Sequence, residues 1–453
     1  MAGPADTITL SIALDAAPVT NPPLNSILIA GTNPAFSDRV RTYATAAAVL
    51  ADEEAALGTS DYEYLAAVAA FSQSPAVPNL KIGRVDNSSF VAQVNTITVA
   101  AAADDGDYTV TVDGVPFTHA ASGDTADVIA AALVALIQAS TLNVTAAGAT
   151  SPFTVTSDTA GDGFTISVNA VNNNLTLVET TPNTGWESEM ALIAAEDDEF
   201  YYVVTSGRTA GVIEDVAKWA EANRKIYIAQ SSETGIDIAE PATPDLATRL
   251  KNLSLLRTAL LFYTTDATAA DAAWAGKKAA IDPDVATTTW NHATLAGVAI
   301  DSTLTATQMG FIDGKNANVY FKLGGIGSTW EGKVADGNYI DSVVTLDWTY
   351  FRMLADLQTL FLNASNRGEK VPYTTGGITS IADVIRNRLR IGTDVVSPPH
   401  FNDDPQAVVT LTGRRDAPTT DIQNRIVRGS FQVEVAGAVH KLTLSGAVVT
   451  TLS

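Results

Sequence analysis

The stretch FYYVVTSGRTAGVIEDVAKWAEANRKIYIA, residues 200–229, contains the clearest indication of the fold class. An aromatic and β-branched run at 200–205 is followed by an amphipathic segment at 209–222 and a second apolar run at 225–229. Short apolar runs favour buried strands, whereas apolar residues spaced three and four apart favour a helix. The order strand, helix, strand predicts a sheet with parallel strands joined by a crossover helix.

The same alternation continues on both sides of this stretch. Further strands are predicted at 26–30, 80–85 and 258–263, and further helices at 45–57, 61–71, 186–195 and 245–253. These elements predict an α/β core with a parallel or mixed sheet, formed by two segments, 25–90 and 186–285.

Residues 91–185 differ from both flanks, because Thr, Val, Ala and Gly dominate and apolar residues alternate with polar ones, as at 108–112. Asp113-Gly114 predicts a tight hairpin. Asp124 is the predicted cap of the helix that follows, whose apolar residues from Val128 to Ile137 fall on one face. Strands are also predicted at 153–157, 164–168 and 175–178. The segment is therefore predicted to be an inserted β-rich domain that leaves its parent at one exposed loop and projects outward.

The remaining segment, 286–453, is predicted to form a C-terminal α/β unit. Strands are expected at 319–323, 408–412, 431–435 and 441–444, the last two forming a hairpin around Gly437, and helices at 342–363 and 378–391. With residues 1–24 as an N-terminal arm, the predicted fold class is α/β (α+β) and multi-domain, with a mixed-sheet core, the β-rich insertion and a C-terminal unit completed by exchanged terminal strands.

Composition excludes several classes of protein. The chain has 453 residues and a formal charge of −23, which argues against a protein that grips nucleic acid. It contains no cysteine, which excludes thiolate nucleophiles, zinc–cysteine sites and disulfides. The first residues lack the features of a signal peptide and no run reaches about 18 apolar residues, so we expect synthesis in the cytosol without membrane insertion.

No stretch carries a convincing catalytic or metal-binding motif. None of the four histidines has a second histidine three or four residues away, and GFIDGKN at 310–316 departs from the phosphate-binding loop in spacing and in its last residue. The acidic clusters at 104–107 and 158–162 are interpreted as turns rather than calcium loops. We therefore assign no catalytic residue, metal or cofactor, although abundant carboxylates leave a glycosidase open.

Charge is distributed unevenly along the chain. No Lys or Arg occurs between Arg84 and Arg208, whereas residues 350–453 carry eleven basic and nine acidic residues. In the helix predicted at 378–391, Arg388 shares the apolar side, and Arg386 and Arg390 lie four apart on an exposed side. These two arginines are predicted to bind an acidic partner; an ordinary solvated helix face is the open alternative.

Both ends of the chain alternate apolar and polar residues as strands do. At the N-terminal end the apolar positions are Ile8, Leu10, Ile12 and Leu14, followed by a proline-containing tether; at the C-terminal end they include Leu442 and Leu444. An isolated strand needs a sheet edge to satisfy its backbone groups. These residues are predicted to exchange between subunits, and docking onto their own subunit stays open.

Residues 289–380 carry an ordered set of short motifs. These are LAGV at 295–298, KNANVY at 315–320, GG at 324–325, ADGNYID at 335–341, DW at 347–348 and VPYT at 371–374. The set resembles the conserved region of contractile tail sheath proteins of bacteriophages, especially the myophage branch. The polar loop at 366–370 is longer than in the family pattern.

The resemblance implies a structural subunit and no enzyme. It implies hexameric rings stacked helically around an inner tail tube, strand exchange between subunits, and contraction that drives the tube through the host envelope for genome ejection. It also implies contacts with a baseplate and a tail terminator, a place in the virion tail after assembly in the host cytoplasm, a C-terminal core facing the tube, and insertions facing outward. Two other classes stay open: a carboxylate-dependent carbohydrate-active enzyme and a non-contractile surface or adhesion protein.

Overall fold

The structure is a computed structural model that describes residues 22–100, 104–239, 244–265, 267–301 and 303–440. Its strands are β1 (Ile27–Gly31), β2 (Val40–Tyr43), β3 (Leu80–Arg84), β4 (Val94–Val99), β5 (Gly106–Val112), β6 (Val115–Ala121), β7 (Val144–Ala147), β8 (Phe153–Ser157), β9 (Ile166–Ala170), β10 (Leu175–Thr181), β11 (Tyr202–Thr205), β12 (Ile226–Ser231), β13 (Thr258–Phe262), β14 (Asn318–Leu323), β15 (Ile326–Trp330), β16 (Val408–Leu411) and β17 (Gly429–Gln432). Its α-helices are α1 (Ala46–Ala51), α2 (Tyr62–Phe71), α3 (Ala126–Gln138), α4 (Trp186–Glu196), α5 (Ala210–Asn223), α6 (Leu246–Asn252), α7 (Ala270–Ala279), α8 (Ala306–Gly314), α9 (Ile340–Asn366), α10 (Thr375–Asp394) and α11 (Thr419–Asn424).

The main sheet has eight strands in the order β15-β14-β13-β12-β11-β1-β3-β2. Neighbours from β14 to β3 pair in parallel, and the two outermost strands, β15 and β2, pair antiparallel to theirs. The predicted mixed α/β fold is confirmed.

Residues 200–229 form β11, α5 and the start of β12, as their pattern predicts. Tyr202 lies opposite Ile27 on one side and Ile226 on the other, at the centre of the sheet. The Thr209 side chain caps α5 by accepting from the backbone N–H of Val212 at 3.4 Å. Every residue of β11 is buried, which is why its run is continuously apolar.

Helices cover both faces of the main sheet. One apolar core joins the sheet to α2, α7, α9 and α10, and a second joins it to α4, α5, α6 and α8. In the first core the rings of Trp274 and Trp290 meet edge to face with centroids 5.1 Å apart.

Residues 94–181 form two further sheets, β10-β4-β8-β7 and β6-β5-β9, which enclose one apolar core with α3. The Asp113-Gly114 hairpin is confirmed, because Val112 pairs with Val115 and both turn residues have positive φ. The predicted cap Asp124 is wrong. Its carboxylate accepts from Ser122 N–H and lies 2.9 Å from His119 Nε2, whereas Thr125 caps α3.

The two ends of this inserted region meet at one place. The backbone N–H of Val91 donates to the carbonyl of Thr184 at 3.0 Å, and the two residues form an antiparallel bridge. Close by, the Asp215 carboxylate on α5 accepts from Gly163 N–H at 3.3 Å and from the Asn183 amide at 2.6 Å. Burial raises the pKa of the Asp215 carboxyl to about 7.

The region after residue 286 shares the core of the main sheet. The sequence placed the strand at 319–323 in a separate C-terminal unit, but β14 and β15 extend the eight-stranded sheet. The strand pairs there because its buried first half, Asn318 to Tyr320, completes the core beside β13. The long helices α9 and α10 follow, and β16 and β17 pair with each other. The second strand of the hairpin predicted around Gly437 lies outside the described residues.

Candidate partner and subunit interfaces

Helix α10 carries the arginines that the sequence assigned to partner binding. Its N-cap Thr374 accepts from Gly377 N–H at 3.3 Å, and Ile378, Ala382, Ile385 and Leu389 form its buried stripe. This spacing of four, three and four residues is the apolar face of a helix packed on one side. The opposite side of α10 is therefore exposed.

Arg388 is an internal anchor of α10. Its Nε and Nη2 donate to the two Asp356 carboxylate oxygens of α9 at 2.7 and 2.9 Å. Its guanidinium also lies 5.4 Å from the centroid of the Trp348 ring. A planar guanidinium suits this combination of bidentate pairing and stacking, so Arg388 fixes the packing of α10 on α9.

Arg386 and Arg390 lie on the exposed side of α10, with 52% and 60% of their side chains accessible. Each has an acidic neighbour on its own helix: Arg386 Nη1 is 2.9 Å from Asp383 Oδ1, and Arg390 Nη1 is 3.7 Å from Asp394 Oδ2. Such exposed pairs are weak, so a partner carboxylate can compete for either arginine. Their binding role stays a prediction.

Helices α9 and α10 pack against each other, and their surface has a polar groove and an apolar end. Seven side chains of α9 and α10 line the groove: Asp356, Thr359, Leu360, Asn363, Asp383, Val384 and Asn387. Near the C-terminal end of α9, Phe361 is 37% and Leu362 is 61% exposed. Large exposed apolar side chains beside a polar rim are typical of a protein–protein contact surface.

We call the pair β16 and β17 the ribbon. Its strands have four residues each and, within the described part of the chain, pair only with each other. Val409, Leu411 and Phe431 face the main core but are only partly buried. A two-stranded sheet is marginal by itself and leaves backbone groups unpaired along both outer edges. The ribbon therefore offers edges for additional strands.

Sequence reasoning missed a second basic surface. Residues 413–428, which lie within the connection between β16 and β17, carry Arg414, Arg415, Arg425 and Arg428. All four are exposed, and we call residues 413–428 the arginine connection. Two consecutive arginines followed by two more within 14 residues were a visible signal, but only the helical arginines were singled out because they shared a periodic face.

The strand-exchange residues Ile8, Leu10, Ile12, Leu14, Leu442 and Leu444 lie outside the described residues. The chain enters the described part at Pro22, whose carbonyl accepts from Arg352 of α9 at 3.4 Å. Leu24, two residues later, is fully buried.

Three ionisable side chains have pKa values that burial shifts from the ordinary range. His400 lies 1% exposed between Thr345 Oγ1 and the Pro283 carbonyl, and burial lowers its pKa to about 4. Burial also raises the pKa of Asp341 to about 6 and lowers that of Lys278 to about 8. Within the described ranges, no group of three or more His, Cys, Asp or Glu side chains could hold a metal ion.

The acidic cluster at 104–107 uses its carboxylates to fix loops. Asp104 Oδ2 accepts from the amides of Asn172 and Asn174 at 2.8 and 2.9 Å, and Asp105 Oδ1 accepts from Gly123 N–H at 2.6 Å. The side-chain donors to Asp104 lower its pKa. This arrangement agrees with the interpretation of the cluster as turns.

The chain as a whole has the fold of contractile sheath proteins, and the resemblance found in the sequence is confirmed at the level of fold. The particular structure that shows this is the helical sheath of the anti-feeding prophage (AFP) in its contracted state. It is similar with a TM-score of 0.52 and 10% identity over 99% of this chain and 99% of that chain.

Two other solved structures are similar at lower TM-scores. The sheath tail protein Lin1278 from Listeria innocua has a TM-score of 0.46 and 9% identity over 90% of this chain and 94% of its own, and a chain of the contracted AFP baseplate has 0.48 and 11% over 99% of both. The fold assignment rests on the AFP sheath alone. No protein-family model matches the chain, and no curated protein matches its sequence. None of the described helices combines the length and apolar character that a membrane crossing requires.

Proposed function

We propose that this chain is the structural subunit of a contractile sheath, which polymerises around an inner tube and contracts to drive that tube through an envelope. The observation that carries the proposal is the fold match to a contracted sheath over 99% of both chains. The subunit needs no catalytic residue for this role, because the work comes from rearrangement of the polymer.

We propose further that subunits are linked by exchanged strands. Within the described ranges both outer edges of the ribbon lack a neighbouring strand, and an added strand would pair its backbone groups and cover its partly buried apolar side chains. The donors are the alternating segments around Ile8 to Leu14 and Leu442 to Leu444. In this arrangement the ribbon of each subunit receives strands from neighbouring subunits. These exchanged strands would join the subunits of hexameric rings that stack into a helix.

Arg386 and Arg390 are proposed to contact the tube protein. They are exposed, and both lie on a helix whose opposite side is fixed to the core. Their long-range attraction for an acidic surface would guide assembly along the tube and weaken as salt rises. The baseplate and the tail terminator are the proposed partners at the two ends of the polymer, which is assembled in the host cytoplasm and resides in the virion tail.

The proposed energy source is the extended polymer itself. Extended subunits are kinetically trapped, and contraction moves nearly rigid subunits into an arrangement with more contact between them. The ladder bonds of exchanged strands persist during this movement, while the residues around Pro18 to Pro23 absorb the rotation.

Electron microscopy of the purified protein tests the proposal. The full chain should form helical tubes, and a chain lacking residues 1–20 should be a folded, soluble monomer that forms none. A chain lacking only residues 1–5 is the matched control, because it keeps the alternating segment and should still form tubes. Tubes of normal length from the longer truncation would contradict strand exchange, and a wild-type protein that forms no tubes would contradict the function.

A further inference from the structure

Three of the four guanidinium groups of the arginine connection have no carboxylate partner among the described residues. Arg428 donates to both Asp421 oxygens, at 2.7 and 3.2 Å. Among the described residues, no carboxylate lies within 4.0 Å of the guanidinium of Arg414, Arg415 or Arg425. The Tyr373 hydroxyl donates to the Ile426 carbonyl at 2.9 Å, and the Arg414 guanidinium lies 6.0 Å from the Tyr373 ring. The connection is thus tied to the segment before α10.

The ribbon has opposite charges at its two ends. The arginine connection closes one end and carries four arginines against two aspartates, Asp416 and Asp421. The other end is formed by residues 400–407 and 433–436, where Asn402 N–H donates to the Glu434 carbonyl at 2.9 Å. These segments carry Asp403, Asp404 and Glu434 and contain no Lys or Arg. A strand lying along the ribbon therefore meets positive charge at one end and negative charge at the other.

Residues 1–21 have the complementary composition. Asp6 and Asp15 bracket the alternating segment 7–14, and the 21 residues contain no Lys or Arg. An extended segment of eight residues spans about 26 Å at about 3.3 Å per residue, whereas a four-residue ribbon strand spans about 13 Å. The arm segment is therefore longer than a ribbon strand, and its flanking aspartates are close enough to the ends of that segment for one of them to reach the arginine connection.

We propose that Arg414, Arg415 and Arg425 are an electrostatic anchor for the acidic N-terminal arm of a second copy of this chain. The inference rests on the proposed function, because it assigns residues to the strand exchange proposed there. Whichever way the arm runs, one of Asp6 and Asp15 lies at the arginine connection. The other lies at the acidic end of the ribbon, so only one of them adds attraction.

Arg425 makes the anchor testable without loss of folding. It ends α11 with φ 60°, the left-handed conformation that glycine adopts with less strain than a residue with a Cβ atom. Arg425→Gly therefore removes a charge and suits the backbone. Arg414→Gln and Arg415→Gln remove two more charges from exposed positions.

The first experiment measures the protein concentration at which full chains form tubes. The triple variant Arg414→Gln, Arg415→Gln, Arg425→Gly should need several times more protein, because each exposed charge pair contributes about 1.5- to 5-fold. The loss should shrink as salt rises. Arg367→Gln with Lys370→Gln removes exposed charges elsewhere and should change nothing. Unchanged assembly of the triple variant, beside normal wild-type tubes, would overturn the anchor and leave the proposed function standing.

The second experiment identifies the partner. The chain has no cysteine, so the introduced residues supply the only thiols. One chain carries Arg415→Cys, and a second, tagged chain carries Asp6→Cys or Asp15→Cys. A disulfide that joins a tagged to an untagged chain therefore links residue 415 to the arm position. One of the two arm positions should yield the mixed dimer under oxidation and the other should not. Failure of both positions in assembling protein would overturn the inference.

Charge reversal distinguishes two possible partners of the arginines, the N-terminal arm and an acidic surface of the tube protein. Arg414→Glu with Arg415→Glu should abolish self-assembly, and adding Asp→Lys at the cross-linking arm position should restore it. If the reversed chain instead self-assembles normally and loses only assembly templated by the tube protein, the anchor binds the tube and the inference is wrong.

Discussion

Asp347 shows how a single residue holds separate parts of this molecule together. Its fully buried carboxylate on α9 accepts from the Tyr201 hydroxyl at 2.9 Å, is hydrogen-bonded to the Arg257 guanidinium, and lies 3.7 Å from Arg224 Nη1. Burial raises the pKa of Asp347, and Arg257 opposes that shift. The long helix is thereby fixed to the central strands by charge as well as by apolar contact.

Asp347→Asn keeps the shape of this side chain and removes its charge. The buried Arg257 guanidinium then lacks its main counter-charge, so we expect a loss of about 3–5 kcal/mol in unfolding free energy. Asp383→Asn, at the exposed partner of Arg386, should cost less than about 1 kcal/mol. Calorimetric melting at pH 7 compares the two variants, and equal melting temperatures would contradict the role of Asp347.

Asp215 makes stability depend on pH. Its pKa is about 7 in the folded protein against 3.8 for the ordinary carboxyl, so the folded state holds the proton more tightly between these values. The contribution of this group to the unfolding free energy therefore falls as pH rises from about 4 to 7, by up to about 4 kcal/mol. Asp215→Asn should remove this loss.

The expected result is a difference in melting temperature between Asp215→Asn and wild type that grows in favour of the variant from pH 5 to pH 8. Asp383→Asn serves as the exposed control and should show no such trend. A difference that is constant with pH would show that Asp215 is ionised in the folded protein throughout this range.

The sequence could not predict the contacts of Asp347 or those of Asp215. Arg257 and Asp347 are 90 residues apart, and no local pattern links an arginine before β13 to an aspartate within α9. Arg388, in contrast, was correctly placed on the apolar side of its helix, because helical periodicity relates residues that are close in sequence.

Within helix α10, two glycines differ in the space available for a side chain. A Cβ atom at Gly392 would lie 2.7 Å from the ring of Phe401 and 3.1 Å from that of Trp348, so this glycine lets α10 approach them closely. At Gly376, in the first turn, a Cβ atom would meet only the Thr374 hydroxyl at 4.0 Å.

Alanine at these two positions should have opposite effects. Gly392→Ala should destabilise the protein by about 1–3 kcal/mol through overpacking, whereas Gly376→Ala should stabilise it by about 0.5–1 kcal/mol through helix propensity. Denaturant midpoints of the two variants test this. A stabilising Gly392→Ala would mean that the loop carrying Phe401 moves aside freely.

Elements with strong periodicity were predicted well, and weakly patterned ones were not. The helix predicted at 342–363 is α9, and the hairpin at Asp113-Gly114 is present. Strand β15, with the sequence IGSTW, was missed. Edge strands with glycine and polar residues lack the apolar run that identifies a buried strand.

At the scale of the whole molecule, the inserted region behaves in sequence and structure as a separable part. It has its own core and sheets, and it joins the rest of the chain where Val91 and Thr184 pair. The change of composition at both ends of this region is visible in the sequence and predicted an insertion. The sequence did not predict that β14 and β15 complete the main sheet, because strand order depends on contacts between residues far apart in the chain.

Replacing residues 92–183 with a short Gly-Ser linker should leave a folded parent that still forms tubes. The linker needs to close only the gap between two residues that are already hydrogen-bonded partners. Circular dichroism and electron microscopy check folding and assembly. An insoluble product would show that the parent depends on the contacts of Asp215 with Gly163 and Asn183.

The pairing of Val91 with Thr184 has a practical consequence. A foreign domain whose own termini lie close together could be grafted at this junction and displayed once per copy. If the polymer forms as proposed, it would carry one graft per subunit at regular intervals, and the grafted domain could be exchanged without changing the residues that form the main sheet.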